Sequence, residues 1–201
     1  MAYASWVNPN KTSGNGNDTV SWTGSAHTGR TARQTTATFS ASGVTSKTLT
    51  IIQAGKTEFV TMDATASITK AGGSVTISGT SNSSKLTFSL TGTDGIGLTL
   101  PTKYTANSVQ TNNGTAISGD PGAAQQYAFS ITFTGIGENT TISSLTSQLT
   151  VTDNNGNTAT CDMTQAAGDA YLTIDPTTIN LTAAGTAVNV TVSSNTSWTI
   201  S

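Results

Sequence analysis

The chain has 201 residues, of which 34% are hydrophobic, 6% are aromatic and only 9% are charged, and its formal net charge at pH 7 is −2. The eight Lys and Arg residues are spread along the sequence, which excludes the concentrated basic surface that nucleic acids and anionic membranes attract. No apolar stretch is long enough to span a bilayer as a helix, so neither nucleic acid nor a membrane is an expected partner.

Short runs that alternate apolar and polar residues fill the sequence, and no segment has the periodicity of a helix. The predicted strands, in chain order, are 35–42, 47–53, 73–81, 85–92, 127–135, 146–153 and 157–165. The first two form a predicted hairpin. The last two flank Asn155-Gly156, which predicts a type I′ turn because both central residues of that turn take positive φ. This pattern predicts an all-β fold of tandem immunoglobulin-like antiparallel β-sandwiches.

Two internal repeats organise the chain. Segments 67–84 and 179–197 share an apolar residue, an Ala-Gly turn, an alternating strand and a Ser-Asn pair. Without a gap, Ile68, Gly72, Val75, Ile77 and Asn82 align with Leu181, Gly185, Val188, Val190 and Asn195. Segments 49–56 and 161–169 form the second repeat, in which an alternating strand ends in Gln and is followed by Ala-Gly.

The repeats divide the chain into three units. Residues 58–168 form a predicted complete sandwich, enlarged by the polar, Gly-rich stretch 93–124. Residues 1–57 contain only the rear half of such a domain, and residues 169–201 contain only the front half. We therefore expect that the two end segments complete one split sandwich by adding strands to each other.

Several features of the two ends occur in a fixed order. They are the strand around Trp198, a second Trp at Trp6, the Pro-x-x-x-Ser-Gly-x-Gly motif from Pro9 to Gly16, Arg33 before the penultimate strand, and the Gln-x-Gly ending at Gln53 and Gly55. In this order, 171–201 resembles the opening of a BACON domain and 5–56 resembles its remainder, with the front half placed last. BACON domains are immunoglobulin-like sandwiches common in Bacteroidetes and their phages. The resemblance implies either a carbohydrate-related role or a place in a virion, since related domains occur in virion proteins of gut phages.

The split predicts two sets of contact residues. On the arm they are Leu172, Ile174, Ile179, Leu181, Val188, Val190, Val192, Trp198 and Ile200. On the half-domain that accepts the arm they are Trp6, Val20, Phe39, Leu49 and Ile51. Completion by a neighbouring copy is preferred to completion within one chain, because two stacked sandwiches hold the ends about 35–40 Å apart. Such a contact is heterologous and gives a closed ring or an open filament.

Residues for catalysis are sparse. His27 is the only histidine and Cys161 the only cysteine, which excludes an internal disulfide and, within one chain, a catalytic triad or a zinc site. We expect His27 to be a solvated loop residue and Cys161 a buried strand residue. No enzymatic activity, metal or cofactor is predicted. If a glycan binds, the candidate stacking aromatics are Tyr104, which the polar insert is expected to expose, and Trp22.

The preferred hypothesis is a non-enzymatic structural protein of a phage virion, such as a capsid decoration or auxiliary subunit. Its expected partners are copies of itself and other virion proteins. The alternatives are a carbohydrate-binding or adhesin module of a bacterial surface protein, or a subunit of a head-to-tail surface filament. The residues after Met1 lack the features of a signal peptide, which predicts synthesis in the host cytoplasm and a location in the virion rather than on the bacterial surface. If the 201 residues are a window on a longer tandem chain, the split into halves has no such meaning.

Overall fold

The computed structural model describes residues 3–92 and 96–201, and these residues form fifteen strands. The strands are β1 Val7–Pro9, β2 Trp22–Gly24, β3 Arg33–Phe39, β4 Lys47–Gln53, β5 Val60–Met62, β6 Thr65–Ile68, β7 Gly73–Ser81, β8 Leu86–Thr91, β9 Lys103–Ala106, β10 Val109–Asn112, β11 Tyr127–Ile136, β12 Leu145–Asp153, β13 Thr158–Gln165, β14 Leu172–Asp175 and β15 Thr191–Ser194. The described residues contain no helix, and therefore none that could cross a membrane. The predicted all-β fold is confirmed.

Strands β5 to β13 build two sheets that share one hydrophobic core, and we call residues 58–168 the middle domain. The five-stranded sheet has the order β10-β9-β11-β7-β5, and the four-stranded sheet has the order β6-β13-β12-β8. Both sheets contribute fully buried apolar side chains to the core, such as Ile77 and Ile131 from the first and Leu149 and Met163 from the second. Pairing is antiparallel as predicted, except that β6 runs parallel to β13.

The insert within the middle domain carries a hairpin, β9–β10, that adds to β11. Its two turn residues, Asn107 and Ser108, have φ values of 48° and 64°, as a type I′ turn requires. Ile96 and Ile117, which flank the hairpin in sequence, are buried in the core. The insert therefore extends one sheet of the middle domain, and part of its apolar content belongs to the core.

The predicted hairpin of β12 and β13 is confirmed, but its predicted type I′ turn is wrong. Of the two central residues, only Gly156 has positive φ, at 90°. The Asp153 carboxylate accepts hydrogen bonds from the amides of Asn155 and Asn157, at 2.8 and 2.9 Å. These bonds favour a wider turn, in which the Gly156 amide donates to the Asp153 carbonyl at 3.3 Å.

The two ends of the chain form separate small sheets. Residues 3–57, called the N-terminal half, contain the pairs β1–β2 and β3–β4, and the second pair confirms the predicted hairpin. Residues 169–201, called the arm, contain the pair β14–β15. Among the described strands, none from either end joins a sheet of the middle domain, and none from one end pairs with the other end.

Polar contacts fix each end to the middle domain. On the N-terminal half, the Arg30 guanidinium lies 2.7 Å from the buried carboxylate of Glu58 and also donates to the backbone oxygen of Asn82 at 2.6 Å. On the arm, Asp169 forms an ion pair with Lys70, which belongs to the middle domain. Each end therefore has its own attachment to the central unit.

Candidate functional site

The arm exposes most of the apolar residues predicted to make contacts. Eight of its nine predicted contact residues have exposed fractions between 38% for Val190 and 87% for Ile200, and Val192 is partly buried. The other exposed members are Leu172, Ile174, Ile179, Leu181, Val188 and Trp198. A cluster of this kind is uncommon on a monomer and is typical of a surface that another polypeptide covers.

The N-terminal half also presents apolar side chains to solvent. Phe39 and Leu49 are exposed, and Trp6, Val20 and Ile51 are partly buried. A groove of about 550 Å³ lies on this half. Apolar and aromatic residues, which include Tyr3, Val20, Trp22, Phe39 and Val44, line part of it, and polar residues such as Lys11, Asp18 and Lys47 line the rest.

Two further exposed apolar residues of the N-terminal half were not predicted from the sequence. Val44 and Ile52 have exposed fractions of 67% and 66%. A sequence signal existed for Ile52, because it follows Ile51 directly and so breaks the alternation of the strand. Val44 lies in the loop between β3 and β4, where the strand pattern gives no information.

Aromatic rings pack against one another beside this groove. The Trp22 ring lies edge-on to Tyr3, with centroids 5.3 Å apart, and edge-on to Phe39, with centroids 6.4 Å apart. The Arg33 guanidinium carbon lies 4.5 Å from the centroid of the Trp6 ring, in a cation–π contact. These contacts hold the rings of the N-terminal half in place beside its exposed apolar residues.

The prediction that Tyr104 is an exposed aromatic is wrong. Its exposed fraction is 3%, because β9 pairs into the five-stranded sheet and turns this side chain into the core, where its ring lies 4.9 Å from that of Phe88. Burial raises the pKa of Tyr104 to about 12. Of the two aromatics considered for glycan stacking, only Trp22 remains partly accessible.

The two residues considered for catalysis, Cys161 and His27, both have a structural role. Cys161 is fully buried, and burial raises the pKa of its thiol to about 11, which keeps it protonated at neutral pH. His27, predicted to be solvated, is instead partly buried, and its ring bonds to its own loop at the Thr31 carbonyl, 2.7 Å away. In the described part of the chain, no three His, Cys, Asp or Glu side chains lie close enough to hold a metal ion.

The arm repeats the local structure of the front half of the middle domain. The Asn82 side chain accepts a hydrogen bond from the Phe59 amide at 2.9 Å, and the Asn195 side chain accepts one from the Tyr171 amide at 3.0 Å. Each Asn also donates to the backbone oxygen two residues before that amide, at 3.0 and 2.9 Å. Each asparagine therefore makes the same two hydrogen bonds, which join the residue after the second strand of a pair to the residues before its first strand.

Strand register and turn geometry repeat as well. Gly72 and Gly185 have φ values of 76° and 70°, and each donates to the carbonyl three residues earlier, at 3.0 and 2.9 Å. The first paired positions are Val60 with Ser81 in the middle domain and Leu172 with Ser194 in the arm. The arm thus repeats the β5–β7 pair, the glycine turn and the Asn contacts of the middle domain.

The N-terminal half repeats the rear half of the middle domain, 112 positions earlier in the chain (Gln53 against Gln165). The side-chain amide of Gln53 donates to the Ser25 carbonyl at 3.0 Å, and the side-chain amide of Gln165 donates to the Gly137 carbonyl at 2.7 Å. The pairs at the start of each hairpin are Arg33 with Gln53 and Leu145 with Gln165. The same offset relates every one of these positions.

Burial is what distinguishes the ends from the middle domain. Ile68 and Ile77 are 3% and 0% exposed, whereas the corresponding arm residues, Leu181 and Val190, are 64% and 38% exposed. Cys161 in the rear half is fully buried, whereas the corresponding Leu49 of the N-terminal half is exposed. Each end therefore has the structure of one half of the domain without the surface that covers it.

No family model matches the chain, and no curated protein matches it. The resemblance of the ends to BACON domains therefore stays a prediction, and the two exposed surfaces are identified from their geometry.

Proposed function

We propose that this protein is a non-enzymatic structural subunit that assembles head to tail, the arm of one copy completing the N-terminal half of the next. One observation supports this most directly. The arm and the N-terminal half expose the apolar positions that their counterparts in the middle domain bury against each other. Covering both surfaces at once removes apolar area from water, which favours association by about 25 cal/mol per Å² buried.

A second copy is the preferred partner because the two ends of one chain lie on separate attachments. Among the described residues, no strand pairing and no backbone hydrogen bond joins 3–57 to 169–201. Arg30 ties the N-terminal half to Glu58, and Asp169 ties the arm to Lys70. The contact is heterologous, so repetition produces a ring or a filament according to the rotation between subunits.

We place this assembly in a phage virion, as a capsid decoration or auxiliary subunit, with a bacterial surface as the alternative. This placement draws on the resemblance of both ends to BACON domains. The alternative role in glycan binding has less support than the sequence indicated, because one of its two candidate aromatics, Tyr104, is buried.

The test is the mass of the full chain in solution, measured by sedimentation velocity over a range of concentrations. We expect species larger than the 20.4 kDa monomer. Deletion of 169–201, or the single change Val190→Asp on the arm, should return the protein to monomers. Val109→Asp is the matched control, since Val109 is also exposed but lies on the middle domain.

Two further measurements complete this test. Circular dichroism establishes that each variant retains its β-structure, so that a loss of assembly is not a loss of folding. A full chain that stays monomeric at every concentration, with a folded middle domain, would contradict the proposed function.

A further inference from the structure

We infer, on the basis of the proposed function, that the arm lies along both edges of the β3–β4 hairpin of the neighbouring copy. Residues 178–181 would run parallel to β4 with Thr178 beside Thr50. Residues 198–201 would run antiparallel to β3 with Ile200 beside Phe39. The joint would then be a four-stranded sheet with the strand order of the four-stranded sheet in the middle domain.

The β4 edge of this joint follows from the parallel pair in the middle domain. There Thr65 lies opposite Asp162, and the register continues to Ile68 opposite Gln165. The front-half repeat places Thr178 at the position of Thr65, and the rear-half repeat places Thr50 at the position of Asp162. Among the described strands, β4 pairs only with β3, so its other edge has the backbone groups that this pairing uses.

Backbone hydrogen bonds at both ends of that pair define its register. The Asp162 amide donates to the Ala64 carbonyl at 2.9 Å, and the Ala166 amide donates to the Ile68 carbonyl at 2.9 Å. The equivalent bonds between copies join the Thr50 amide to the Thr177 carbonyl, and the Ala54 amide to the Leu181 carbonyl.

Side-chain orientation agrees with this register. Met163 and Ile68 point into the core of the middle domain, and Asp162 and Thr164 are exposed. By the same offsets, Ile51 and Leu181 point into the joint, and Thr50 and Ile52 face solvent. Ile52 is the one apolar residue of β4 whose counterpart in the middle domain is exposed. The register therefore accounts for the exposure of Ile52.

The β3 edge follows from the pairing of β8 with β12. Phe88 lies opposite Val151 in the middle domain. Trp198 and Ile200 alternate after the Ser-Asn pair of the arm as Leu86 and Phe88 do after that of the middle domain, but they lie one residue closer to the Asn. We therefore align them with a one-residue gap, at an offset of 112 rather than 113. Because Val151 corresponds to Phe39, this places Ile200 beside Phe39.

A hydrogen bond of the N-terminal half supports that placement. The Ser147 hydroxyl of β12 donates to the Thr91 carbonyl, at the end of β8, at 2.9 Å. At the equivalent position of β3, the Thr35 hydroxyl accepts a hydrogen bond from the Ala4 amide at 3.0 Å. Ala4 thus lies where the end of β8 lies in the middle domain. Among the described strands only β4 pairs with β3, so in this part of the chain no strand occupies the edge of β3 that residues 198–201 would use.

Disulfide crosslinking in the full chain tests this register. Thr50→Cys and Thr178→Cys in one chain place the Cα atoms of two cysteines on neighbouring strands about 5 Å apart, within the Cα–Cα range that a disulfide requires. The control, Thr48→Cys with Thr178→Cys, shifts the register by two residues and separates the positions by about 8 Å. Thr38→Cys with Ser201→Cys tests the β3 edge in the same way. Cys161 stays in all variants because it is buried.

We expect mild oxidation to convert the 50/178 and 38/201 variants into covalent ladders, at least about tenfold faster than the 48/178 control. The unsubstituted chain should give no ladder. Oligomers that crosslink equally well or better through the shifted pair would overturn the register and leave the proposed function standing. A chain that is monomeric before oxidation would overturn both.

Discussion

His27 takes in the N-terminal half the position that Asn139 takes in the middle domain. The His27 ring accepts a hydrogen bond from the amide two residues later, at 3.4 Å, and donates to the carbonyl four residues later, at 2.7 Å. The Asn139 side chain makes the same two bonds at 2.9 and 2.8 Å. Asn139 is buried, and its backbone N–H donates to the Lys70 carbonyl of the front half at 2.7 Å.

We therefore expect His27 to become buried when the arm of a neighbour docks. The backbone N–H of His27 would then donate to the Ala183 carbonyl of that arm. His27→Asn should preserve assembly, because Asn makes these bonds in the middle domain. His27→Ala removes both side-chain bonds, which already hold the loop in the free chain. Their loss of about 1–2 kcal/mol weakens association to the extent that it disorders this loop before docking, by at most about 5- to 30-fold. Sedimentation equilibrium measures both values. Equal association of the Ala variant and the unsubstituted chain would show that His27 does not support the joint.

Trp198 is the largest exposed side chain of the arm that we place in the joint. Trp198→Ala should weaken association by about 2–4 kcal/mol, or about 30- to 800-fold, because part of the ring is already buried in the free arm. Val109→Ala, on an exposed residue of the middle domain, is the matched control and should leave association unchanged. If both variants associate like the unsubstituted chain, Trp198 lies outside the joint.

Arg30 joins the N-terminal half to the middle domain through two carboxylates. Besides its contact with Glu58, it forms a bidentate pair with Asp120, at 2.7 and 2.9 Å. Arg30→Gln leaves the buried Glu58 without its cation, and we expect it to destabilise this attachment by about 1–3 kcal/mol. Urea unfolding followed by the fluorescence of Trp6 and Trp22 measures the loss. An unchanged transition would show that other contacts hold the two units together.

The attachment should also weaken in acid. The hydrogen bonds from Arg30 hold the pKa of Asp120 below its ordinary value of 3.8. A lowered pKa in the folded state adds stability above pH 3.8, and this contribution is lost as pH falls below that value. Asp120→Asn should therefore destabilise the chain at pH 7 by about 0.5–1 kcal/mol and have little effect near pH 2. A destabilisation that is the same at both pH values would contradict this assignment.

Tyr104 should make the middle domain sensitive to alkali. Burial raises the pKa of its hydroxyl from 10.0 to about 12, so the unfolded chain loses this proton before the folded one. Tyr104 should contribute a fall of about 1–2 kcal/mol in the free energy of unfolding between pH 10 and 12. Tyr127 adds to the total fall, because burial raises its pKa as well. Tyr104→Phe should reduce that fall, with stability at pH 7 unchanged or raised, because among residues 3–92 and 96–201 the buried hydroxyl has no hydrogen-bond partner. Urea unfolding at several pH values tests this, and an equally steep fall in the variant would exclude Tyr104 as its source.

Local pattern was sufficient to predict the internal repeats and seven of the fifteen strands that the described residues form. Alternation along 47–53 and 127–135 is a property of neighbouring residues, and the structure has β4 and β11 there. The equivalence of Asn82 with Asn195, and of Gln53 with Gln165, could be recognised in the sequence because each residue lies at a fixed distance from a turn. Their matching hydrogen bonds in the structure give that repeat a physical meaning.

The sequence by itself determined the seven longer, alternating strands and the segments that repeat, because both depend on residues close together in the chain. The shorter strands, such as β9 and β10 in the polar insert, were not predicted. Only the tertiary structure decided that Tyr104 is buried, that the type I′ turn lies at Asn107-Ser108, and that β6 runs parallel to β13. The physical reason is that strand partners are chosen by burial between residues that are not neighbours in sequence, such as Ala106 of β9 with Phe129 of β11, and Thr65 of β6 with Asp162 of β13. A periodic pattern indicates which side chains of a strand are buried, but only the packing of the core determines which strands they are buried against.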